Sequence, residues 1–150
     1  TAPTPEIDDI DRLVDEMRQL GLDVRVEREG DPGGLPTTTQ LAVYRIVQES
    51  LTNAYKHGEP GSPVHAALTY RPDTVEIAVV NRRADDGVRG PGTGHGLVGM
   101  RERAVMTGGT MTAGARGDDF AVAVRMPTVP ASGQMPRGRI TPTEQERSAR

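Results

Sequence analysis

The stretch Tyr44-Arg45-Ile46-Val47-Gln48-Glu49-Ser50-Leu51-Thr52-Asn53-Ala54-Tyr55-Lys56-His57 decides the reading of this chain. Its apolar residues recur at helical spacing, and Leu41, Tyr44, Val47, Leu51 and Ala54 form the expected buried stripe. Pro36 and Thr37, Thr38 and Thr39 offer a start, with N-capping hydroxyls. Gly58, Pro60 and Gly61 end the helix near His57. Glu49, Asn53 and Lys56 stand at i, i+4 and i+7, so they share one face turned away from the stripe. An amide oxygen is a hard ligand that suits Mg²⁺, an ion that binds through few protein groups. An ammonium is a point charge for a phosphate. A carboxylate can polarise a proton on an incoming nucleophile. A solvated face with an ordinary polar pair is the plainer reading of the same residues. Lys56 weighs against it, because it is the only lysine among eighteen basic residues. His57 stands beside it; taken alone, it reads as a C-terminal residue favoured by the helix dipole.

Outward from this helix, the 150 residues fit one domain. Residues 1–5 read as a linker. Over 6–20, Ile7, Ile10, Leu13, Val14, Met17 and Leu20 mark an amphipathic helix with an acidic outer face, stopped by Gly21. Alternation predicts strands over 22–29, 64–70, 74–80 and 120–126, with a shorter one over 110–113. Residues 81–94 read as a mobile loop and 97–107 as a short helix stopped by Gly108-Gly109. The polar stretch 131–150 reads as a disordered tail. Helices and strands do not alternate regularly, so the expected class is α+β, with helices on one face of a mostly antiparallel sheet.

Composition removes several functions. A net charge of −3 with scattered arginines gives no basic nucleic-acid face. Three Tyr, one Phe and no Trp leave little for stacking on bases. The absence of cysteine excludes disulfides, thiol catalysis and Cys-ligated zinc. No apolar run approaches the ~18 residues of a membrane span. No signal peptide is visible, and a first residue that is Thr suggests a piece of a longer protein. A cytoplasmic setting is expected, either free or as the cytoplasmic part of a membrane-anchored sensor.

A second stretch, Gly90-Pro91-Gly92-Thr93-Gly94-His95-Gly96-Leu97-Val98-Gly99-Met100-Arg101-Glu102-Arg103, runs from loop into helix. Glycines let a backbone approach phosphate, and a helix N-terminus supplies free N–H groups. A flexible loop is the alternative. Arg101 and Arg103 read as surface or ion-pair residues, and His95 as a phosphate contact or a loop filler.

Residues 44–57 closely resemble the N box of sensor histidine kinases, in the nitrate-sensor-like subgroup. Residues 94–103 resemble the second glycine box of the same subgroup, and Gly108-Gly109 and Val124-Arg125-Met126-Pro127 also look like it. The resemblance covers about residues 6–127 and implies a Bergerat ATP-binding sandwich: a mixed, mostly antiparallel sheet with about three helices on one face. The expected catalytic ATP-binding domain is 6–130. By this resemblance Asn53 would hold Mg²⁺, Lys56 and His57 would touch phosphates, and Glu49 would help activate the phospho-accepting histidine. Gly92, Gly94, His95, Gly96 and Leu97 would embrace the triphosphate, and 82–95 would be the ATP lid.

The family usually places Asp after the strand, in an Asp-x-Gly-x-Gly pattern, to bind the adenine amino group. Here Asn81 takes that position, followed by Arg82-Arg83, and Asp86 within Asp85-Asp86-Gly87 is the displaced candidate. Asn81 is preferred because it holds the strand-end position. The histidines are His57, His65 and His95, and none stands on a helix in the acid-flanked pattern of a phospho-acceptor. The resemblance therefore implies that the γ-phosphoryl of ATP goes to a histidine on a separate dimerisation domain, and onward to a response regulator. This chain alone is not expected to phosphorylate itself. Two other readings stand beside this one: an anti-sigma-factor serine kinase of the same fold, and a nucleotide- or protein-binding module without transfer.

Overall fold

A computed structural model gives the architecture and describes residues 3–84 and 92–128. A single 3₁₀ turn, Ile7–Asp9, leads into α1 (Ile10–Gln19). Then follow β1 (Val24–Gly30), α2 (Thr37–His57), β2 (Val64–Tyr70), β3 (Thr74–Arg82), α3 (Gly92–Met106), β4 (Thr110–Arg116) and β5 (Asp119–Pro127). The strands form one sheet in the order β1-β2-β3-β5-β4. β1 and β2 pair in parallel and every other pair is antiparallel. The expected α+β class, with a mixed, mostly antiparallel sheet and three helices, is what the chain forms.

Alternation decides which sheet face is covered. Val75, Ile77 and Val79 of β3 are buried, with Val64, Ala66 and Leu68 of β2 and Val122, Val124 and Met126 of β5. They form one core with Ile10, Leu13 and Val14 of α1, the buried face of α2, and Met100 and Ala104 of α3.

α2 is rotated from the expected stripe. Its buried residues are Thr39, Ala42, Val43, Ile46, Val47, Ser50, Leu51 and Ala54, while Leu41 and Tyr44 are only half-buried. Of the two, Tyr44 packs against the edge of the core. Pro36 occupies the N-cap without a side-chain hydrogen bond, so the threonines are not the cap. Thr39 is instead fully buried, and its hydroxyl donates to the Thr128 carbonyl at 3.4 Å.

Several boundaries also move. β1 runs from Val24 to Gly30, β3 continues through Arg82, β4 runs on to Arg116, and α3 begins at Gly92 rather than Leu97. The connection expected over 81–94 is therefore shorter at both ends, and residues 85–91, like the tail expected over 131–150, lie outside the described residues. The Gly108-Gly109 stop holds, with a separate reason for each glycine. Gly108 takes φ +85°, a left-handed conformation that ends a helix. Gly109 donates to the Ala104 carbonyl at 2.7 Å and packs so tightly that a Cβ would overlap the Arg125 carbonyl oxygen.

Candidate functional site

The site is built where α2 ends. Ala54 accepts the Gly58 N–H at 2.8 Å, closing the last turn. The chain then pairs with the end of β3: Gly58 bridges Arg83, and the Glu59 N–H donates to the Arg82 carbonyl at 2.9 Å. The Ala84 N–H donates to the His57 carbonyl at 3.3 Å. The C-terminus of α2 is thus fastened to the strand that carries Asn81.

Asn81 lies inside β3, paired with Val64 and Phe120, rather than beyond the strand. It falls in register with Val79, faces the helices and is 8% exposed. Its Nδ2 donates to the Arg82 carbonyl at 2.9 Å and stands 2.9 Å from where a Cβ on Gly58 would be. Arg82 and Arg83 are held elsewhere. Arg82 pairs with Glu59 at 3.2 Å and Asp118 at 3.5 Å, and Arg83 donates to the Gly117 carbonyl at 2.8 Å. Asp86 lies outside the described residues, so the choice between Asn81 and Asp86 rests on Asn81's place alone.

The second edge is the seam between α2 and α3. Ser50 is buried and its hydroxyl donates to the Met100 sulfur at 3.2 Å. Beside it, Glu49 Oε2 lies 4.0 Å from Arg103 Nη1. A Cβ on Gly96 would stand 3.3 Å from Glu49 Oε1. Glu49 and Asn53 are half-buried along α2, Lys56 is exposed and His57 is partly buried. Leu97 packs against the core. Gly92, Gly94 and His95 belong to the first turn of α3, where N–H groups have no partner within a helix.

The structure therefore brings Glu49 next to Gly96, and Asn81 next to the end of the helix that carries Asn53, Lys56 and His57. A cavity of about 510 Å³ touches Asn81 but is lined by His65 and Val80 of the uncovered sheet face, with Glu59, Ser62 and Asp119, and gathers none of Glu49, Asn53, Lys56, His57 or Gly96. A second cavity, about 490 Å³, lies by Leu35 and Pro36 at the other end of α2, about 30 Å away along a helix of this length. It gathers none of the expected site residues. The expectation of Arg101 and Arg103 as ion-pair or surface residues is resolved into two roles. Arg103 meets Glu49, and Arg101 donates to the Met111 carbonyl at 2.8 Å, tying α3 to β4. Gly58 was read only as a stop; the close packing of Asn81 on it had no sequence signal.

No family model matches the chain. Among curated proteins it is similar to the sensor histidine kinase LnrJ of Bacillus subtilis, 30% identical over 107 residues, 65% of this chain and 26% of the relative. It is 37% identical over 95 residues to the sensor histidine kinase YxjM of Bacillus subtilis, covering 61% of this chain and 22% of the relative. The methanol utilization control sensor protein MoxY of Paracoccus denitrificans is 38% identical over 97 residues, 59% of this chain and 20% of the relative. The chain thus spans about a quarter or less of these relatives' length. Among solved structures, the mycobacterial sensor histidine kinase MprB superposes with a TM-score of 0.57 at 22% identity, covering 82% of this chain and 95% of that one. The blue-light activated histidine kinase of Erythrobacter litoralis superposes with a TM-score of 0.65 at 15% identity, covering 87% of this chain and 44% of that one. The nitrate-sensor-like subgroup rests on the motif residues alone. With its mixed five-stranded sheet and these relatives, the chain is related to the sensor histidine kinases and has the fold of their catalytic domain.

Proposed function

We propose that this chain binds Mg-ATP along the seam of α2, the end of β3 and the start of α3, and donates the γ-phosphoryl group to a histidine on a separate dimerisation domain. The observation that carries the proposal is the convergence of three distant segments. Glu49 meets Gly96 across the α2–α3 seam, and the C-terminus of α2 closes on Asn81. The donor set suits the ligand. Among the described residues no group of three His, Cys, Asp or Glu could cage a metal, whereas Asn53 offers one hard oxygen. That is the pattern for Mg²⁺ held mainly by a nucleotide's phosphates. When bound, the ion would neutralise charge on the β- and γ-phosphates.

The chain's own residues then have separate tasks. Asn53 would hold the metal, Lys56 places positive charge against phosphate at the helix end, and His57 offers it a ring N–H. The first turn of α3, with Gly92, Gly94 and His95, offers N–H groups to phosphate oxygens, and Gly96 and Leu97 continue that wall. Asn81 Oδ1 accepts from the adenine amino group, while its Nδ2 is steadied by Arg82. Glu49 takes up the proton-polarising role toward the incoming histidine. Catalysis is then mostly positioning and charge stabilisation. The partners are the dimerisation domain and, after it, a response regulator, and the setting is cytoplasmic. No helix among the described residues is long and apolar enough to cross a membrane.

A thermal melt with Mg-ATP tests the binding half. Ligand at 100 times its Kd should stabilise the chain by about 2.7 kcal/mol, and no shift at millimolar Mg-ATP would remove the proposal.

A further inference from the structure

Glu49 can assist transfer only if its carboxylate is aimed, and α3 supplies the aiming groups. Arg103 Nη1 stands 4.0 Å from Glu49 Oε2, with side chains 36% and 33% exposed. Two glycines of α3 leave room for the pair. A Cβ on Gly96 would stand 3.3 Å from Glu49 Oε1, and one on Gly99 would stand 3.1 Å from Arg103 Nη1. Both lie in a helix, where glycine is less favourable than alanine. An ion pair this exposed contributes little to stability. Stability is thus a poor reason for two helical glycines, and orientation is a better one.

We propose that Arg103 is a positioning residue for Glu49, holding its carboxylate against Gly96 in the orientation used during phosphoryl transfer. This inference rests on the kinase reading above. Gly96 and Gly99 serve the pair by lacking a side chain: one accommodates the carboxylate, the other the guanidinium.

The test compares wild type with Arg103→Gln, Arg103→Lys and Gly99→Ala. The first readout needs only this chain: the side-chain carboxyl ¹³C resonance of Glu49. It should move in Arg103→Gln and in Gly99→Ala, and return toward wild type in Arg103→Lys. One nitrogen at 4.0 Å is a contact that an ammonium can replace. The second readout is transfer from Mg-ATP to an acceptor-histidine helical domain supplied in trans. Arg103→Gln should lower kcat at least about tenfold and leave KM for ATP within about twofold, with Lys restoring most of the rate. Gly99→Ala should melt no lower than wild type, since alanine favours the helix, so a lost rate there cannot be unfolding. An unmoved Glu49 resonance in Arg103→Gln overturns the inference, as does a loss of rate that Lys does not rescue. A wild type that binds Mg-ATP but transfers nothing overturns the kinase reading and with it the purpose of the contact. The resonance shift would still show the contact itself.

Discussion

Asn81 packs its side-chain nitrogen 2.9 Å from the space a Cβ on Gly58 would fill, joining the inner face of β3 to the end of α2. The same Cβ would stand 2.6 Å from the Ala54 carbonyl oxygen. Gly58→Ala is therefore predicted to cost about 1–3 kcal/mol by overpacking and to weaken Mg-ATP binding by displacing Asn81. Urea unfolding and calorimetry on one preparation check both. A variant as stable as wild type with unchanged affinity would show that this packing is unimportant.

The adenine contact is assigned to Asn81 by its place on the strand. Asn81→Ala should weaken ATP binding far more than Asp86→Ala. Calorimetry giving the opposite order would move the contact to Asp86.

The rotation of α2 gives a stability prediction. Leu51 is fully buried and Leu41 only half-buried, although both stood in the expected stripe. Leu51→Ala should cost about 2–5 kcal/mol, and Leu41→Ala only about 1 kcal/mol. Equal losses in urea denaturation would contradict the rotation.

These particulars show what the sequence carried and what it did not. Alternation placed β2 at 64–70 without error and gave the inward face of β3, because a period of two is local information. The same alternation over 22–29 announced β1 but not its parallel pairing with β2, which depends on where α2 returns the chain. Of the expected stripe of α2, Val47, Leu51 and Ala54 are buried and Leu41 and Tyr44 are not, because α2 packs against both the sheet and α3 and so also buries Ala42, Val43, Ile46 and Ser50. The start of α3 reads as loop because Gly92, Gly94 and Gly96 argue against a helix, whereas the helix begins at Gly92. In the site, the helical face of Glu49, Asn53 and Lys56 was legible from spacing alone. The Arg103–Glu49 contact joins residues on different helices, and no local pattern encodes it.

Acid should loosen the first turn. Asp9 Oδ2 accepts the Glu6 backbone N–H at 2.8 Å, and Asp9 Oδ1 meets Arg12 at 2.8 Å. The backbone N–H, with help from Arg12, holds the Asp9 carboxyl below its ordinary 3.8. The unfolded chain then takes up the proton first as pH falls. The contribution is complete above the ordinary value and is lost as pH drops through the lowered one. Asp9→Asn should remove that part of the pH dependence below about pH 4. Urea unfolding across pH 2–6 checks it; an acid limb as steep as that of wild type would contradict the assignment.

The claim that this chain holds Mg-ATP through the exposed end of α2 is tested most directly by Asn53→Ala. Mg-ATP is titrated calorimetrically into wild type and variant, with Mg²⁺ and again with EDTA. Wild type is predicted to bind, and to bind more weakly when Mg²⁺ is chelated. Asn53→Ala is predicted to lose the Mg²⁺-dependent part while keeping the wild-type unfolding midpoint. Binding by Asn53→Ala with wild-type affinity and wild-type Mg²⁺ dependence would contradict the account.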